Sequence, residues 1–173
     1  EDFGNLRAPD RKPINIHDML DRARTAANVG FAAHMELRDA FDPSLPHAYA
    51  DPDQLQQVFL NLLKNAAEVG EAGGTIMIRT FYEAGLKVHR RDGTVQAVPL
   101  QIEIEDDGPG IPPDITQDLF EPFVSGRENG TGLGLALVSK IISDHDGLLT
   151  LESVPGRTVF RISLPLPPQE RTR

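Results

Sequence analysis

Residues 100–110 read LQIEIEDDGPG. Leu100, Ile102 and Ile104 alternate with Gln101, Glu103 and Glu105, the period of a strand with one apolar face. The strand runs straight into Asp106, and Gly108-Pro109-Gly110 stops it. A carboxylate at a strand end, followed by two glycines that leave room for a ring, can accept a hydrogen bond from a base amino group. The same residues also suit an ordinary Asp-Gly turn. Gln101 to Ser125 hold seven Asp or Glu and no Lys or Arg, which reads as a solvated acidic surface or as part of a site.

Upstream lies the clearest helix. Asp51-Pro52-Asp53 offers a cap and a proline in the first turn. Leu55, Val58, Phe59, Leu62, Leu63, Ala66 and Val69 form one apolar stripe that ends at Gly70. Asn61, Asn65 and Glu68 share a polar edge beside it. The amide oxygen of Asn65 suits Mg²⁺, which takes few protein ligands and keeps waters and phosphates. A structural amide satisfied by its neighbours is the competing reading.

Downstream, Gly130-Thr131-Gly132-Leu133-Gly134-Leu135 opens a helix whose apolar positions include Leu137, Val138, Ile141 and Ile142. Alternate glycines at a helix N-terminus present N–H groups to an anion, so this is a candidate phosphate cradle as well as a flexible loop. It is neither a P-loop, having no Gly-Lys-Ser/Thr, nor a dinucleotide fingerprint.

The remaining elements follow from period and punctuation. A helix over Ile16, Met19, Leu20, Ala23 and Ala27 is capped by Asn15, with Asp18 as a capping-box partner, and stops at Gly30. Strands are expected at 34–41, 74–82, 148–153 and 158–164, and a hairpin at 86–100 around a two-residue Asp92-Gly93 turn. A short helix is expected near 115–119. Residues 1–13 read as a linker or docking strap, 14–166 as one domain, and 167–173 as a loose tail. Helices with a mixed, mostly antiparallel sheet and no regular βαβ alternation predict an α+β, two-layer sandwich with helices on one face.

Composition excludes several classes. The chain has 173 residues, 39% apolar and 25% charged, which is enough for one real core. It has no Cys, so disulfides, thiolate metal sites and Cys nucleophiles are out. No apolar run reaches the length of a membrane span, and no signal-peptide pattern opens the chain. A net charge of −9 argues against a general nucleic-acid binder.

In their order along the chain, NLLKNA (61–66), DDGPG (106–110), FEPF (120–123) and GTGLGL (130–135) resemble the N, G1, F and G2 boxes of the catalytic and ATP-binding domain of sensor histidine kinases, in the GHKL superfamily with its Bergerat fold. The resemblance implies that Asn65 holds Mg²⁺, with Asn61 beside it, and that Asp106 reads the adenine amino group of ATP or ADP. It implies that Gly108 and Gly110 shape the base pocket and that Gly130, Thr131, Gly132, Leu133 and Gly134 border the phosphates. Residues 112–130 would be the lid over the nucleotide. Arg127, the cation within it, reaches a phosphate on closure or is a solvated side chain.

The 51–68, 119–138 and 154–166 stretches are similar to the nitrogen-regulation sensor kinases of the NtrB type, and the 82–100 insert to their alpha-proteobacterial form. That resemblance implies a cytoplasmic homodimer that phosphorylates a His on its own dimerisation domain, passes the phosphate to an NtrC-like response regulator and listens to a PII-type protein. It implies no membrane and no nucleic-acid partner. None of His17, His34, His47, His89 and His145 stands in an acceptor motif. His17 is followed by an acid, but Asp21-Arg22 stand where a polar residue and a proline should. The chain opens on Glu, and residues 1–13 are expected to be the stub of the dimerisation domain. The superfamily also holds ATPase clamps and anti-sigma serine kinases. The ATPases carry a Glu four residues before the metal-binding Asn; here that place is Asn61, and an amide is a poor base. Glu68 stands where many sensor kinases have a cation, and reads as solvated or structural.

Overall fold

The computed structural model describes residues 6–111 and 131–171. The elements run β1 (Lys12–Ile14), α1 (Ile16–Val29), β2 (Glu36–Ala40), β3 (Ala48–Ala50), α2 (Pro52–Val69), β4 (Thr75–Tyr82), β5 (Lys87–His89), β6 (Val95–Ala97), β7 (Leu100–Asp106), α3 (Thr131–Asp144), β8 (Leu148–Val154) and β9 (Arg157–Leu164), then a 3-10 turn at Pro168–Glu170. The main sheet has strand order β2-β4-β7-β9-β8. β2 and β4 are parallel; the other pairs are antiparallel. β1 pairs with β3, and β5 with β6, in two small sheets.

Register explains the layering. Ile78, Ile104, Phe160 and Leu151 stand opposite one another across four strands, so one sheet face is apolar. The helices pack on that face, with α2 between α1 and α3. Leu55, Val58, Phe59 and Leu62 of α2 are fully buried against Ile76, Ile78, Ile102 and Ile162. The opposite face carries Arg79, Glu103 and Arg161 side by side. Arg79 reaches Glu105 at 2.6 Å, and Arg161 reaches Glu103 at 2.8 Å. Two members of the acidic stretch are thus balanced by cross-strand arginines, which a linear charge count does not reveal.

Three expectations change in detail, and of the two readings of the N-terminal segment the docking strap is the one seen. The strand expected at 34–41 is confined to Glu36–Ala40, because His34 and Met35 belong to the preceding turn. The hairpin turn is not a two-residue Asp92-Gly93 turn. Arg90 N donates to Thr94 O, which closes a three-residue loop over 91–93. Gly93 takes φ +87°, and the Asp92 carboxylate accepts from the Thr94 N–H and hydroxyl. The N-terminal segment is docked from Arg7 onward: Arg7 and the Asp10 N–H both bond Asp51, and Lys12–Ile14 form a strand. The tail expected to be loose is ordered through Arg171, with Pro167 buried and Arg171 Nε bonded to Leu166 O at 2.7 Å.

His17 lies in α1, stacked on Phe41 at 4.6 Å, with Nε2 2.8 Å from the Thr80 hydroxyl. That hydroxyl also accepts from Asp42 N, so it bridges α1 and the β2–β3 loop. The residue is occupied structurally, as its sequence context predicts. The expected helix near 115–119, the F-box residues and the lid lie outside the described residues.

Candidate functional site

Three elements converge on one end of the sheet. α2 brings the asparagines. Its start is fixed by Asp51, whose carboxylate caps the Asp53 and Gln54 N–H groups and also takes Arg7 and Asp10 N. Burial pushes the Asp51 carboxyl up, but Arg7 and the N–H donors of Asp10 and Gln54 outweigh it and hold it at about 2. Along the polar edge burial is graded: Asn61 is half-buried, Asn65 is 3% exposed and Glu68 is exposed. Asn65 therefore sits on the core side of the edge.

β7 brings the carboxylate. Asp106 is its last residue, opposite Ile76 of β4 and Thr158 of β9, on the helix-facing side, and is 3% exposed. Its Oδ1 accepts from Gly108 N at 2.9 Å, so the chain folds back over the strand end. Gly108 O then accepts from Gly156 N at 2.8 Å in the β8–β9 turn. Gly110 takes φ +88°, and a Cβ there would lie 2.8 Å from Val154 O. Ile111 N donates to Ser153 Oγ at 2.7 Å, and Ser153 Oγ is 2.7 Å from Thr158 Oγ1. The glycine loop is thus bolted to β8 and β9 at three points.

Asp107 accepts from Thr75 N at 3.1 Å, which ties the α2–β4 loop to the glycine loop. Between these loops lies a cavity of about 490 Å³ lined by Val69, Glu71, Gly74, Asp107, Gly108 and Pro109, among others. Asn65 is one helical turn from Val69, and Asp106 adjoins Asp107.

α3 begins at Thr131. Gly134 lies in its first turn, and a Cβ there would meet open space within 4 Å. Gly130, Arg127 and the side chains of Thr131 and Leu133 lie outside the described residues, as does the detail of Gly132. Among the sequence-derived candidates, the structure brings Asn65, Asp106, Gly108 and Gly110 to one end of the fold. Asp107, Ser153 and Thr158 are the supporting residues that the motif reading passes over. A signal for the last two is present: they break the apolar alternation with Leu151 and Phe160 at the turn end of the hairpin.

Among the described residues no group of three or more His, Asp or Glu could cage a metal ion. A cation at this site would rest on one amide oxygen plus ligand and water oxygens, which is how Mg²⁺ is usually held beside phosphates. The buried amide and the open space at Gly134 fit that arrangement.

Residues 50–168 match the family model described as "Histidine kinase-, DNA gyrase B-, and HSP90-like ATPase". A "Sensory histidine kinase/phosphatase NtrB" of Rhodobacter capsulatus is 64% identical over 170 residues, covering 98% of this chain and 48% of that protein. One of the same description from Azospirillum brasilense is 45% identical over 168 residues, covering 96% and 42%. The chain spans about half the length of these curated relatives. Among solved structures, the mycobacterial sensor histidine kinase MprB superposes with TM-score 0.73 at 26% identity, covering 90% of this chain and 97% of that one. Full-length ShkA in complex with AMPPNP shares the fold at TM-score 0.73 and 24% identity, over 90% of this chain and 31% of that one. The family match takes in α2, β7 with its glycine loop and the start of α3, the elements that build the site, and on it the chain belongs to the histidine kinase-, DNA gyrase B- and HSP90-like ATPase family.

Proposed function

We propose that this chain is the ATP- and Mg²⁺-binding catalytic portion of an NtrB-like sensor histidine kinase in a nitrogen-regulation two-component system. The observation that carries the reading is Asp106: a buried carboxylate at a strand end, folded over by Gly108 and beside a cavity bounded by Val69 and Gly74. A carboxylate so placed would accept the amino group of an adenine and give the pocket its base preference. Asn65 would hold Mg²⁺ through its amide oxygen, with Asn61 lining the same edge. Gly130, Thr131, Gly132, Leu133 and Gly134 would leave the phosphates close to the α3 N-terminus. Arg127 would meet a phosphate from the lid.

Bound Mg²⁺–ATP would supply the γ-phosphoryl group. What the chain's residues do is hold and aim it, since phosphoryl transfer needs positioning and charge neutralisation more than covalent help. Asn61 is an amide, a poor general base for water, so the site favours transfer to a protein over hydrolysis. The acceptor His would lie on the kinase's own dimerisation domain in a homodimer. From there the phosphate would pass to an NtrC-like response regulator, under the influence of a PII-type protein. We place this kinase in the cytoplasm; among the described residues no helix is long and apolar enough to cross a membrane.

Two measurements test the site. In calorimetric titration with ADP, Asp106→Asn should cost about 1.5–3 kcal/mol, the worth of a charge-assisted hydrogen bond. Equal affinities would remove Asp106 from the base-reading role. With radiolabelled ATP, the chain alone should release little phosphate yet label a separately supplied dimerisation domain of its kinase. Transfer should be slow, because splitting the chain forfeits effective concentration. Asn65→Asp should lower labelling on the order of 100-fold. Rapid phosphate release by the chain alone would favour the ATPase reading instead.

A further inference from the structure

At the opposite end of the sheet from Asp106 a second cavity, of about 420 Å³, opens between the β5–β6 hairpin and the C-terminal turn. β4 and β7 run from one end to the other: Ile76 faces Asp106, and Tyr82 faces Leu100. Six residues separate the two pairs, about 20 Å of strand. The walls of this second cavity include Tyr82, Val95, Pro99 and Leu166, with Gln96 and Arg171 as polar members. Tyr82 and Val95 are 46% and 49% exposed. Two large apolar side chains lying open in one cleft differ from the scattered exposed residues of an ordinary surface.

The rim is cationic. Asp146 holds two arginines from distant segments: Arg11 of the N-terminal strap at 3.0 Å and Arg90 of the hairpin at 3.1 Å. Arg11 also stacks on Tyr49 at 4.4 Å, and Arg171 lies over the same ring at 5.6 Å. Three guanidiniums therefore gather around one carboxylate, in a chain whose net charge is −9. Burial and then the charge of Arg11 lower the Arg171 pKa, as expected where cations crowd.

Asp146 has a local role that a glycine would fill more easily. Asp146 N donates to Ser143 O and Gly147 N to Ile142 O, the paired bonds of a Schellman cap. Asp146 occupies the left-handed position at φ +59°. The residue there carries a carboxylate that the cap does not use, and Arg11 and Arg90 are its partners.

We propose that the cleft between the β5–β6 hairpin and the C-terminal turn, with Arg171 in its wall and Arg90 bonded to its Gln96, docks a segment of a partner protein that bears an apolar side chain flanked by carboxylates. The exposed Tyr82 and Val95 would receive the apolar group. The excess positive charge would select the acid and repel basic segments. Because the cleft lies a strand's length from Asp106, it can be filled while the nucleotide site is filled.

The probe is the capped peptide Glu-Leu-Asp-Leu-Glu, with Gln-Leu-Asn-Leu-Gln and inorganic phosphate as controls, followed by amide chemical shifts of the 173-residue chain. The acidic peptide should move Gly85, Ala97 and Leu166, and added salt should weaken it. Replacing Arg90 and Arg171 together by Gln should weaken binding about fivefold, and Asp146→Asn should strengthen it about threefold by unmasking the charge of Arg90. Asn tolerates the left-handed position, and a gain in affinity cannot come from misfolding. Equal binding of the amide peptide, the same shifts from phosphate alone, or no gain in Asp146→Asn would each overturn the proposal.

Discussion

Gly110→Ala should destabilise the chain by about 3 kcal/mol and abolish nucleotide binding in the folded fraction. Two costs add. Gly110 sits at φ +88°, where an L side chain is strained by about 1–2 kcal/mol. Its Cβ would also stand 2.8 Å from Val154 O and 2.9 Å from Val154 C, which are backbone atoms and cannot rotate away. Relief requires the glycine loop to lift from β8. That movement breaks the Gly156 N to Gly108 O and Ile111 N to Ser153 Oγ bonds, so Asp106 loses its cover. Gly156 provides the control. It has the same φ of +88° but nothing within 4 Å of its Cβ, so Gly156→Ala should cost only the conformational part, about 1 kcal/mol. Urea unfolding of both variants separates the terms. Equal losses would mean that the contact with Val154 contributes nothing.

How much of this was readable from the sequence depends on the range over which each feature is determined. Asn15, Asp51, Gly30 and Gly70 delimit α1 and α2 because capping and termination are local events. The period of two in 100–106 gives both the strand and the face on which Asp106 lies. The site motifs are legible as short stretches for a similar reason: DDGPG follows the end of β7 directly, and Asn61 and Asn65 sit at helical spacing within α2. What escaped was decided by partners far away in sequence. Glu103 and Glu105 look like solvated acid until β4 and β9 bring Arg79 and Arg161 beside them. Arg7 and Arg11 look like linker residues until Asp51 and Asp146 receive them. Asp92-Gly93 marks a turn, but the loop length depends on whether Arg90 pairs with Thr94, which the dipeptide does not encode. Ser153 and Thr158 become supports of the glycine loop only once the β8–β9 hairpin is laid beside β7.

Replacing His145 should cost about 3 kcal/mol and flatten the acid side of the stability profile. His145 is fully buried just after α3. Its Nδ1 is 2.8 Å from Ile141 O, and its Nε2 is 3.0 Å from Asp51 N. The amide of Asp51 can only donate and the carbonyl of Ile141 can only accept. The ring must therefore be neutral, with its proton on Nδ1. Burial is the main cause that lowers its pKa; Arg11 lowers it further, while the Ile141 carbonyl and the charges of Asp51 and Asp144 oppose. A histidine with a folded-state pKa below its unfolded value of about 6.5 stabilises the fold fully above that pH. The contribution is lost as pH falls, by at most about 1.4 kcal/mol per unit. The Asp51 contribution, with its carboxyl held at about 2, begins to be lost only as pH falls towards its unfolded value of about 3.9, so the His145 loss sets in first. His17 shares the upper window, because burial also lowers its pKa; His17→Gln is the control. Urea unfolding between pH 7.5 and 5 should show a steep loss in the parent, a smaller slope in each single variant and the smallest in the double. A His145→Gln slope equal to the parent's would mean that His145 takes up its proton in the folded chain as it does in the unfolded one. The bond reaches past stability: it joins the first residue before α2, which carries Asn61 and Asn65, to the end of α3, whose first turn holds Gly134. A chain lacking it should bind nucleotide more weakly even where it remains folded, because the spacing of α2 and α3 is no longer fixed at that end.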